Sequence, residues 1–338
     1  MLKIGLIGAG YMGEMHSTCY KALSSMQAAV TAVADLREEK RRAAADLHQA
    51  AEYETGMELI EQADVDVIDI CLPTYLHTEH ALAAMKKGRA VFIEKPVCLS
   101  REDGARLLEA QKQYGAVVMV GQCIRLWDEY VWLKETLDRQ VYGRPVSAVF
   151  HRLSSRPEWA WENWLHKPEC SGTAALDMHI HDIDYIRYLL GEPEQIHASA
   201  ARDSQGVIQQ MFATLNYPGT AVQAEVCWDY PEAFPFSMSF RVKCEKATIV
   251  YDSSSTEGLT VYPTEGGMIK PELNRQYDQQ ASAGGNISSL GGYYNELKYF
   301  IECLQSGREP VIAPLEEAVR SVDLCLKEIE LAGGAVVY

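Results

Sequence analysis

The sequence lacks several features that define common functional classes. Its 338 residues contain no long apolar run, so we expect no membrane-spanning helix and no membrane partner. The N-terminal apolar stretch is too short for a signal peptide and runs directly into a glycine motif, so we interpret it as part of the fold. Lys and Arg number only 31 against 47 Asp and Glu, and the net charge of −16 disfavours nucleic acid as a partner.

Closely spaced cysteines are also missing. The chain has nine cysteines but no C-x-x-C pair, and several of them lie in apolar patterns, where a thiol behaves as a small hydrophobic group. This usage is typical of a reducing compartment and not of a disulfide framework. We therefore expect a cytoplasmic protein.

The first third of the chain alternates short apolar runs with helical patterns. Strands that alternate with helices of this length predict βαβ crossovers and a doubly wound parallel sheet, which we assign to residues 1–122. The predicted strands are Leu2–Ile7, Ala29–Ala34, Val65–Ile70, Ala90–Ile93 and Val117–Val120, and the predicted helices are Met12–Leu23, Arg37–Leu47, Leu76–Lys87 and Ser100–Tyr114.

The pattern changes after Gly121, and residues 123–338 are predicted to form a second α/β domain. Helices are predicted over Asp128–Gln140, Thr173–Leu190, Tyr293–Gln305 and Leu315–Leu331, with a long loop over 264–292. Consecutive strands separated by turn residues indicate a mostly antiparallel sheet. These strands are predicted over Val146–Arg152, Gln195–Ala201, Ile208–Asn216, Ala221–Trp228, Phe236–Lys243, Ala247–Tyr251 and Leu259–Tyr262.

A glycine motif follows the first predicted strand and opens the first helix. Gly8, Gly10 and Gly13 match G-x-G-x-x-G, and the strand–turn–helix context is the one in which this pattern binds the pyrophosphate of a dinucleotide. We therefore predict a Rossmann domain and expect the intervening Tyr11 and Met12 to line the cofactor site. A plain strand–helix turn is the alternative.

Asp35, at the end of the second predicted strand, is placed to accept hydrogen bonds from the adenosine ribose. A carboxylate there would repel a 2′-phosphate, which favours NAD over NADP, although the nearby Arg37 leaves NADP open. Asp35 could alternatively cap the following helix.

Further polar residues follow the later parallel strands, at the sheet edge where ligands bind in open α/β folds. Lys95, in Glu94-Lys95-Pro96, is placed to reach a substrate hydroxyl, although an exposed lysine can equally be a solvated charge. Pro73, Thr74 and His77 follow the preceding strand. We predict that the cofactor site includes Pro73, Thr74, His77, Glu94, Lys95 and Gln122. For His77, local hydrogen bonding at a helix start is an equal alternative.

A helical segment of the second domain carries the strongest catalytic pattern. Asp177 and His181 are one helical turn apart, and a carboxylate bonded to an imidazole raises its basicity, as a general base requires. His179 and His181 suggest a metal pair, but on a helix residues two apart point about 200° away from each other. We therefore predict no metal.

The substrate residues are less sharply defined. A Trp-rich loop precedes this helix, and we select Trp164 as a face on which a sugar ring can stack, although a Trp that anchors a loop is an equal alternative. Arg152 is a second candidate for substrate binding, or alternatively pairs with an acid. Together with these two, we expect Lys95, Asp177, His179 and His181 to contact the substrate.

Taken together, these motifs resemble the Gfo/Idh/MocA oxidoreductases, the family of glucose–fructose oxidoreductase and the inositol dehydrogenases. The marks are Gly8–Gly13, Glu94-Lys95-Pro96, Gly121-Gln122, Asp177-x-x-x-His181-x-x-Asp184 and Tyr293-x-x-Glu296-x-x-x-Phe300. The resemblance covers nearly the whole chain. It implies a Rossmann domain followed by a domain with an open, mostly antiparallel sheet, which often forms a subunit interface, so we expect a homodimer or homotetramer.

The resemblance also implies a reaction. Lys95 and His181 would be the acid/base pair, with Asp177 orienting His181, while hydride passes between the nicotinamide and a hydroxyl or keto carbon. Where many members have glycine this chain has His179, which we expect to add a substrate contact. The segment Met178–Asp182 is most similar to inositol dehydrogenases and favours a cyclic polyol or sugar. The alternatives are an NAD-retaining, redox-assisted glycosidase or lyase, and a non-catalytic NAD-binding sensor.

Overall fold

The computed structural model describes residues 1–273, 275 and 290–333. By their contacts the described residues form two units. The first comprises Met1–Trp127 with the described part of Gln276–Arg320, and the second comprises Asp128–Arg275 with the described part of Ser321–Tyr338. Much of the loop predicted over 264–292 lies outside the described residues. The predicted domain division after residue 122 remains a prediction.

The first unit contains a six-stranded, fully parallel sheet in the order β3-β2-β1-β4-β5-β6. Five of its strands were predicted within two residues at each end. The sixth, β3, was not predicted because its three residues have no apolar run and are partly exposed. The strands are β1 (Leu2–Ile7), β2 (Ala28–Ala34), β3 (Ala51–Tyr53), β4 (Val67–Ile70), β5 (Ala90–Glu94) and β6 (Val118–Gly121).

Helices follow the strands of this unit in the alternation expected of a doubly wound sheet. They are α1 (Tyr11–Ala22), α2 (Glu38–His48), α3 (Gly56–Gln62), α4 (His77–Lys86) and α5 (Arg101–Tyr114). Helix α3 was not predicted, since it has only seven residues. A later helix, α9 (Gly291–Ser306), packs against α1 and the end of β6. The strand β4 is buried along its whole length, as expected for a strand covered on both faces.

The second unit contains a seven-stranded sheet in the order β13-β12-β11-β7-β10-β9-β8. Only β7 and β10 pair in parallel, and every other neighbouring pair is antiparallel. The strands are β7 (Pro145–Ser155), β8 (Gln195–Arg202), β9 (Ile208–Tyr217), β10 (Thr220–Tyr230), β11 (Ser237–Cys244), β12 (Ala247–Asp252) and β13 (Thr260–Pro263). The predicted fold class, a parallel Rossmann-like sheet and a second, mostly antiparallel sheet, is confirmed.

The helices of the second unit are α6 (Asp128–Asp138), α7 (Pro168–Ser171) and α8 (Ile180–Leu190). Helix α10 (Leu315–Leu331) begins in the first unit and continues into the second, since the division falls after Arg320. The sheet's strands alternate between buried and more exposed residues, as along β12, which indicates that helices cover one face only.

The prediction of one regular helix over Thr173–Leu190 is wrong. Residues Ala174–Met178 form a π-helix, in which the His179 N–H donates to the Ala174 carbonyl at 3.0 Å, and α8 begins only at Ile180. Thr173, just before the π-helix, has a φ of +60°. Isolated π turns are frequent at functional sites, because they rotate side chains away from their regular directions.

Within the described part of the chain, no helix is long and apolar enough to cross a membrane.

Candidate functional site

The glycine motif forms a tight turn between β1 and α1 that tolerates no side chain at two positions. Gly8 has a φ of +91°, and a Cβ on it would lie 2.5 Å from the Cys71 carbonyl oxygen. A Cβ on Gly13 would lie 1.9 Å from the Gly8 carbonyl oxygen. The backbone of α1 therefore approaches the end of β1 as closely as a dinucleotide-binding turn requires.

The N-terminus of α1 is built to receive an anion. Gly10 precedes the helix and has no side chain with which to cap its first N–H groups, and Tyr11 and Met12, both half-buried, form the first turn. Uncapped N–H groups and the helix dipole together attract phosphate. This is where the predicted pyrophosphate site lies.

Asp35 follows β2 and faces the same turn. Its carboxylate accepts hydrogen bonds from the Ala9 N–H at 2.8 Å and from Arg37, whose Nε and Nη2 lie 2.9 and 2.8 Å away. Burial alone would raise the pKa of Asp35, but the hydrogen bonds from Arg37 and Ala9 hold it below its ordinary value. The group is therefore a fixed anion next to the glycine turn.

His77 has main-chain carbonyl oxygens next to both of its ring nitrogens. It is buried at the start of α4, with Nδ1 2.8 Å from the Pro96 carbonyl oxygen and Nε2 2.7 Å from the Leu72 carbonyl oxygen. Burial lowers the pKa of the ring. A neutral ring carries one N–H and donates it to one of these two carbonyls, so His77 lies between the loops after β4 and β5 as in the local hydrogen bonding that we gave as the alternative. Its contact with a cofactor remains a prediction.

The side chain of Glu94 contacts the turn that carries Lys95 from the side of the core. The Glu94 side chain is buried at the end of β5, and its Oε2 accepts a hydrogen bond from the Lys95 N–H at 3.0 Å. The Lys95–Pro96 peptide bond is cis. Glu94 was predicted to contact the cofactor, but its carboxylate is directed into the core, where His16 Nε2 lies 3.0 Å from Oε1. Lys95 itself is half-buried at the sheet edge.

In the first unit, two other predicted residues have buried polar groups without a hydrogen-bond partner among the described residues. These are the hydroxyl of Thr74, in a short 3₁₀ helix after β4, and both polar atoms of the Gln122 amide, directly after β6. A buried polar atom without a partner costs about 1–3 kcal/mol. Both lie after the carboxyl ends of strands, near Pro73 and Lys95. Together with the glycine turn they fit a polar dinucleotide, which would supply the missing partners.

In the second unit, Asp177 lies in the π-helix, half-buried, and His181 lies in the first turn of α8 with 8% of its surface exposed. The two residues do not share one regular α-helix, so the spacing on which we based their pairing does not apply in this segment. That Asp177 orients His181 remains a prediction.

Arg152 does not face a binding surface, which corrects its assignment to the substrate. On β7 it is 3% exposed, and its Nε and Nη2 lie 2.9 and 3.2 Å from the two carboxylate oxygens of Asp182, which is 1% exposed. The alternative that Arg152 pairs with an acid is therefore correct. The pair ties β7 to α8 next to His181.

His179 is likewise corrected. Its side chain is fully buried, and Nε2 lies 3.1 Å from Oε2 of Glu328, which is equally buried on α10. A ring in that position packs in the core of the second unit. Neither ring nitrogen makes a hydrogen bond to the described residues, and full burial keeps the imidazole away from the surface at which a substrate would bind.

Trp164 is half-buried in a 3₁₀ segment, Trp161–His166. His166 anchors this segment, with Nε2 2.8 Å from the Pro157 carbonyl oxygen and its ring edge-on to Trp228. The partial exposure of Trp164 is compatible with both alternatives, a stacking face and a loop anchor.

Sequence reasoning missed a buried polar cluster beneath the Lys95 turn. It is centred on His16 of α1, whose ring contacts Asp69 of β4 and Glu94 of β5. The available signal was Asp69 itself, since a carboxylate inside a strand of valine and isoleucine requires a buried partner.

Comparison with known proteins places these features in a family. Residues 2–122 match the family model described as oxidoreductase family, NAD-binding Rossmann fold, and residues 130–250 match the Gfo/Idh/MocA C-terminal domain. The chain is 26% identical to myo-inositol 2-dehydrogenase of Thermotoga maritima over 92% of this chain and 91% of that protein. It is 29% identical to inositol 2-dehydrogenase 4 of Saccharopolyspora erythraea over 86% of each.

A solved structure of levoglucosan dehydrogenase, in complex with NADH and levoglucosan, has the same fold. Its TM-score is 0.81 with 21% identity, over 98% of this chain and 97% of that one. The first family model covers the glycine turn and Lys95, and the second covers Asp177 and His181. The chain therefore belongs to the Gfo/Idh/MocA oxidoreductase family.

Proposed function

We propose that this protein is an NAD-dependent dehydrogenase that moves a hydride between the nicotinamide and a hydroxyl or keto carbon of a sugar or cyclic polyol. The observation that carries the proposal is the Lys95 turn. Lys95 follows β5 at the sheet edge, and the unpartnered polar groups of Thr74 and Gln122 follow the neighbouring strands β4 and β6. Glu94 contacts the Lys95 N–H, and His77 contacts the Pro96 carbonyl oxygen.

The choice of NAD rests on Asp35. Its carboxylate is a buried anion at the end of β2, where the 2′-phosphate of NADP would meet like charge. Arg37, the cation that would favour NADP, is already engaged by Asp35 at 2.8 Å. We therefore propose NAD as the preferred cofactor and NADP as the weaker one.

We propose Lys95 and His181 as the acid/base residues and Asp177 as the group that orients His181. When bound, the nicotinamide accepts or donates the hydride. The task of the side chains is to hold the substrate hydroxyl and to take or return its proton, which contributes about 10²–10⁴ to the rate. The buried pair of Arg152 and Asp182 fixes the first turn of α8, in which His181 lies, and Trp164 is proposed as a stacking face.

The substrate class is inferred from relatives that carry the names of inositol and levoglucosan dehydrogenases. These names share a ring with several hydroxyl groups. An aromatic face such as Trp164 can pack on the C–H side of such a ring, and polar side chains can bond its hydroxyls.

The test is the absorbance of reduced nicotinamide during incubation with a panel of inositols, aldoses, anhydrosugars and sugar acids, under NAD and then NADP. We expect turnover with one cyclic polyol or sugar, faster with NAD. Lys95→Ala and His181→Ala should each lower kcat at least about a hundredfold, and Arg144→Ala, which removes an exposed charge of the second unit, is the matched control.

Other outcomes would select other functions. Cleavage of a glycoside with no net reduced cofactor would show a redox-assisted glycosidase or lyase. Tight NADH binding without turnover on any class of the panel would favour a sensor and refute the dehydrogenase.

We also propose that the chain forms a homodimer or homotetramer through the more exposed face of the second sheet. Phe212 on β9 and Tyr262 on β13 are 43% and 48% exposed, a large apolar exposure for strand residues. Light scattering would show a single chain mass if this is wrong. The cytoplasmic location predicted from the cysteines remains part of the proposal.

A further inference from the structure

His16 lies in the second turn of α1 and has no exposed surface. Each ring nitrogen contacts a carboxylate from a neighbouring strand. Nδ1 is 2.9 Å from Asp69 Oδ2, and Nε2 is 3.0 Å from Glu94 Oε1. A neutral imidazole carries one N–H, so only the imidazolium donates to both oxygens.

The surroundings of His16 favour its charged form. Burial by itself would lower the pKa of the ring, but the charge of Asp69 and the hydrogen bonds to Asp69 and Cys71 raise it well above its ordinary value. Tyr20 donates to the same Asp69 oxygen at 2.9 Å, and Cys71 Sγ lies 3.2 Å from Nδ1.

Glu296, on α9, lies close to both His16 and Glu94, with one ligand atom of each residue within 4.8 Å of the others. It is fully buried, and neither of its oxygens has a hydrogen-bond partner among the described residues. Burial and the charge of Glu94 raise its pKa well above the ordinary value, which favours the neutral form of Glu296. The imidazole of His16 lies between the other two carboxylates, those of Asp69 and Glu94.

Glu94 links His16 to the turn that carries Lys95. One of its oxygens contacts His16, and the other accepts the Lys95 N–H at 3.0 Å. Gly121 leaves room for this orientation, since a Cβ there would lie 3.0 Å from Glu94 Oε1. Rotation of the carboxylate would break both hydrogen bonds at once. The position of the Lys95 backbone thus depends on the buried imidazolium of His16, through the carboxylate of Glu94.

We propose that His16, acting through Glu94, is a positioning residue for Lys95. The inference rests on the proposed dehydrogenase function for its kinetic consequence, but its structural part concerns the Lys95 N–H alone.

Two variants separate the two ring contacts. In His16→Gln the side-chain amide reaches the place of Nε2 and still donates to Glu94. In His16→Asn it reaches only the place of Nδ1 and donates to Asp69. A merely structural role of His16 would make the shorter and the longer amide similarly damaging. A positioning role makes His16→Asn the worse of the two.

The first measurement is hydrogen–deuterium exchange of the Lys95 amide, which needs no substrate. We expect the Lys95 amide to remain protected from exchange in His16→Gln. In His16→Asn we expect its protection factor to fall at least about tenfold, as the loss of a charge-assisted hydrogen bond implies. Tyr20→Phe removes a bond to Asp69 on the side away from Glu94. It should lower the melting temperature without changing exchange at Lys95.

The second measurement is steady-state kinetics with whichever substrate the panel identifies. We expect kcat to fall about tenfold or more in His16→Asn and to remain near the parent value in His16→Gln, with KM for NAD unchanged in both. Absence of turnover in the parent protein would refute the proposed function only, because the exchange result would still stand.

Equal exchange at Lys95 in the two variants would overturn the positioning role. So would stoichiometric metal in the purified protein that chelation removes with loss of folding. His16, Glu94 and Glu296 have ligand atoms within 4.8 Å of one another, and a resident ion would replace the hydrogen bonds on which the proposal rests.

Discussion

The reassignment of Arg152 from substrate contact to buried ion pair leads to a prediction with a definite magnitude. Arg152→Met removes the guanidinium but keeps most of the side-chain volume. Asp182, 1% exposed, would then retain a carboxylate with its two hydrogen bonds of 2.9 and 3.2 Å lost. Breaking a buried pair in this way costs about 3–5 kcal/mol. The total free energy of unfolding of a domain is about 5–15 kcal/mol, so we expect this variant to have a severely destabilised second unit.

The assay is urea unfolding followed by tryptophan fluorescence. Of the six tryptophans only Trp127 lies in the first unit, so the signal reports mainly on the second. The matched control is Arg144→Met, which breaks an exposed pair with Glu245 whose side chains are 75% and 42% accessible. It should cost no more than about 1 kcal/mol.

A double variant tests the reasoning further. Replacing both partners, with Arg152→Met and Asp182→Leu, leaves no buried charge and should recover most of the stability, since apolar replacement of a buried pair is often neutral. If Arg152→Met instead folds normally and only raises KM for the substrate, Arg152 binds substrate and the reassignment is wrong. That result would also remove the ion pair as the link between β7 and α8.

Three further predictions concern the first unit. Because the pKa of the buried Glu296 is raised, its favourable contribution to stability is complete below its ordinary value of 4.5 and is lost as the pH rises through the folded-state value. Glu296→Gln should therefore flatten the fall of the free energy of unfolding as the pH rises above 4.5. An unchanged slope relative to the exposed control Glu302→Gln would contradict this. Asp35→Asn should weaken NAD binding at least about tenfold and NADP less, measured by calorimetry, and an unchanged ratio would remove the ribose assignment. Gln122→Met should leave the cofactor-free stability unchanged within about 1 kcal/mol but reduce NADH affinity several-fold, and a large loss of stability in denaturant would show that its amide already has a partner.

Most of the fold could be predicted because its elements have strong local patterns. Strands β1, β2 and β4 are apolar runs followed by turn residues, and α5 has a Ser100 N-cap and ends before Gly115. Strand β3 and helix α3 were missed because three and seven residues carry too little periodicity. The π turn also has no sequence pattern of its own, since its extra residue is inserted against a sheet whose position depends on distant strands.

The partners of the candidate site residues were less predictable. His16 and Asp69 are 53 positions apart, and His179 and Glu328 are on helices separated by most of the second domain. Such pairs depend on tertiary packing, which neither spacing nor propensity reports. The glycine turn and Asp35 were found because their geometry is local to one strand–turn–helix unit.

The predicted site residues fall into two groups, according to whether their polar atoms already have hydrogen-bond partners within the protein. Arg152, His77 and Glu94 have polar atoms that are engaged by carboxylates, carbonyls or the imidazole of His16. Each of these residues would lose an existing hydrogen bond if it bound a ligand, which reduces its net contribution to the binding free energy. Such residues are better suited to holding the site in place.

Thr74 and Gln122 are the opposite case, with buried polar atoms that have no partner in the described part of the chain. A ligand that forms hydrogen bonds with these atoms breaks no hydrogen bond within the protein. Their contribution to the binding free energy is therefore the largest. If this division is correct, substitutions at His77 or Glu94 should act mainly on stability and on the geometry of Lys95. Substitutions at Thr74 and Gln122 should act on cofactor affinity at constant stability. A reversal of that pattern in paired denaturation and calorimetry experiments would show that unpartnered atoms do not mark the ligand in this fold.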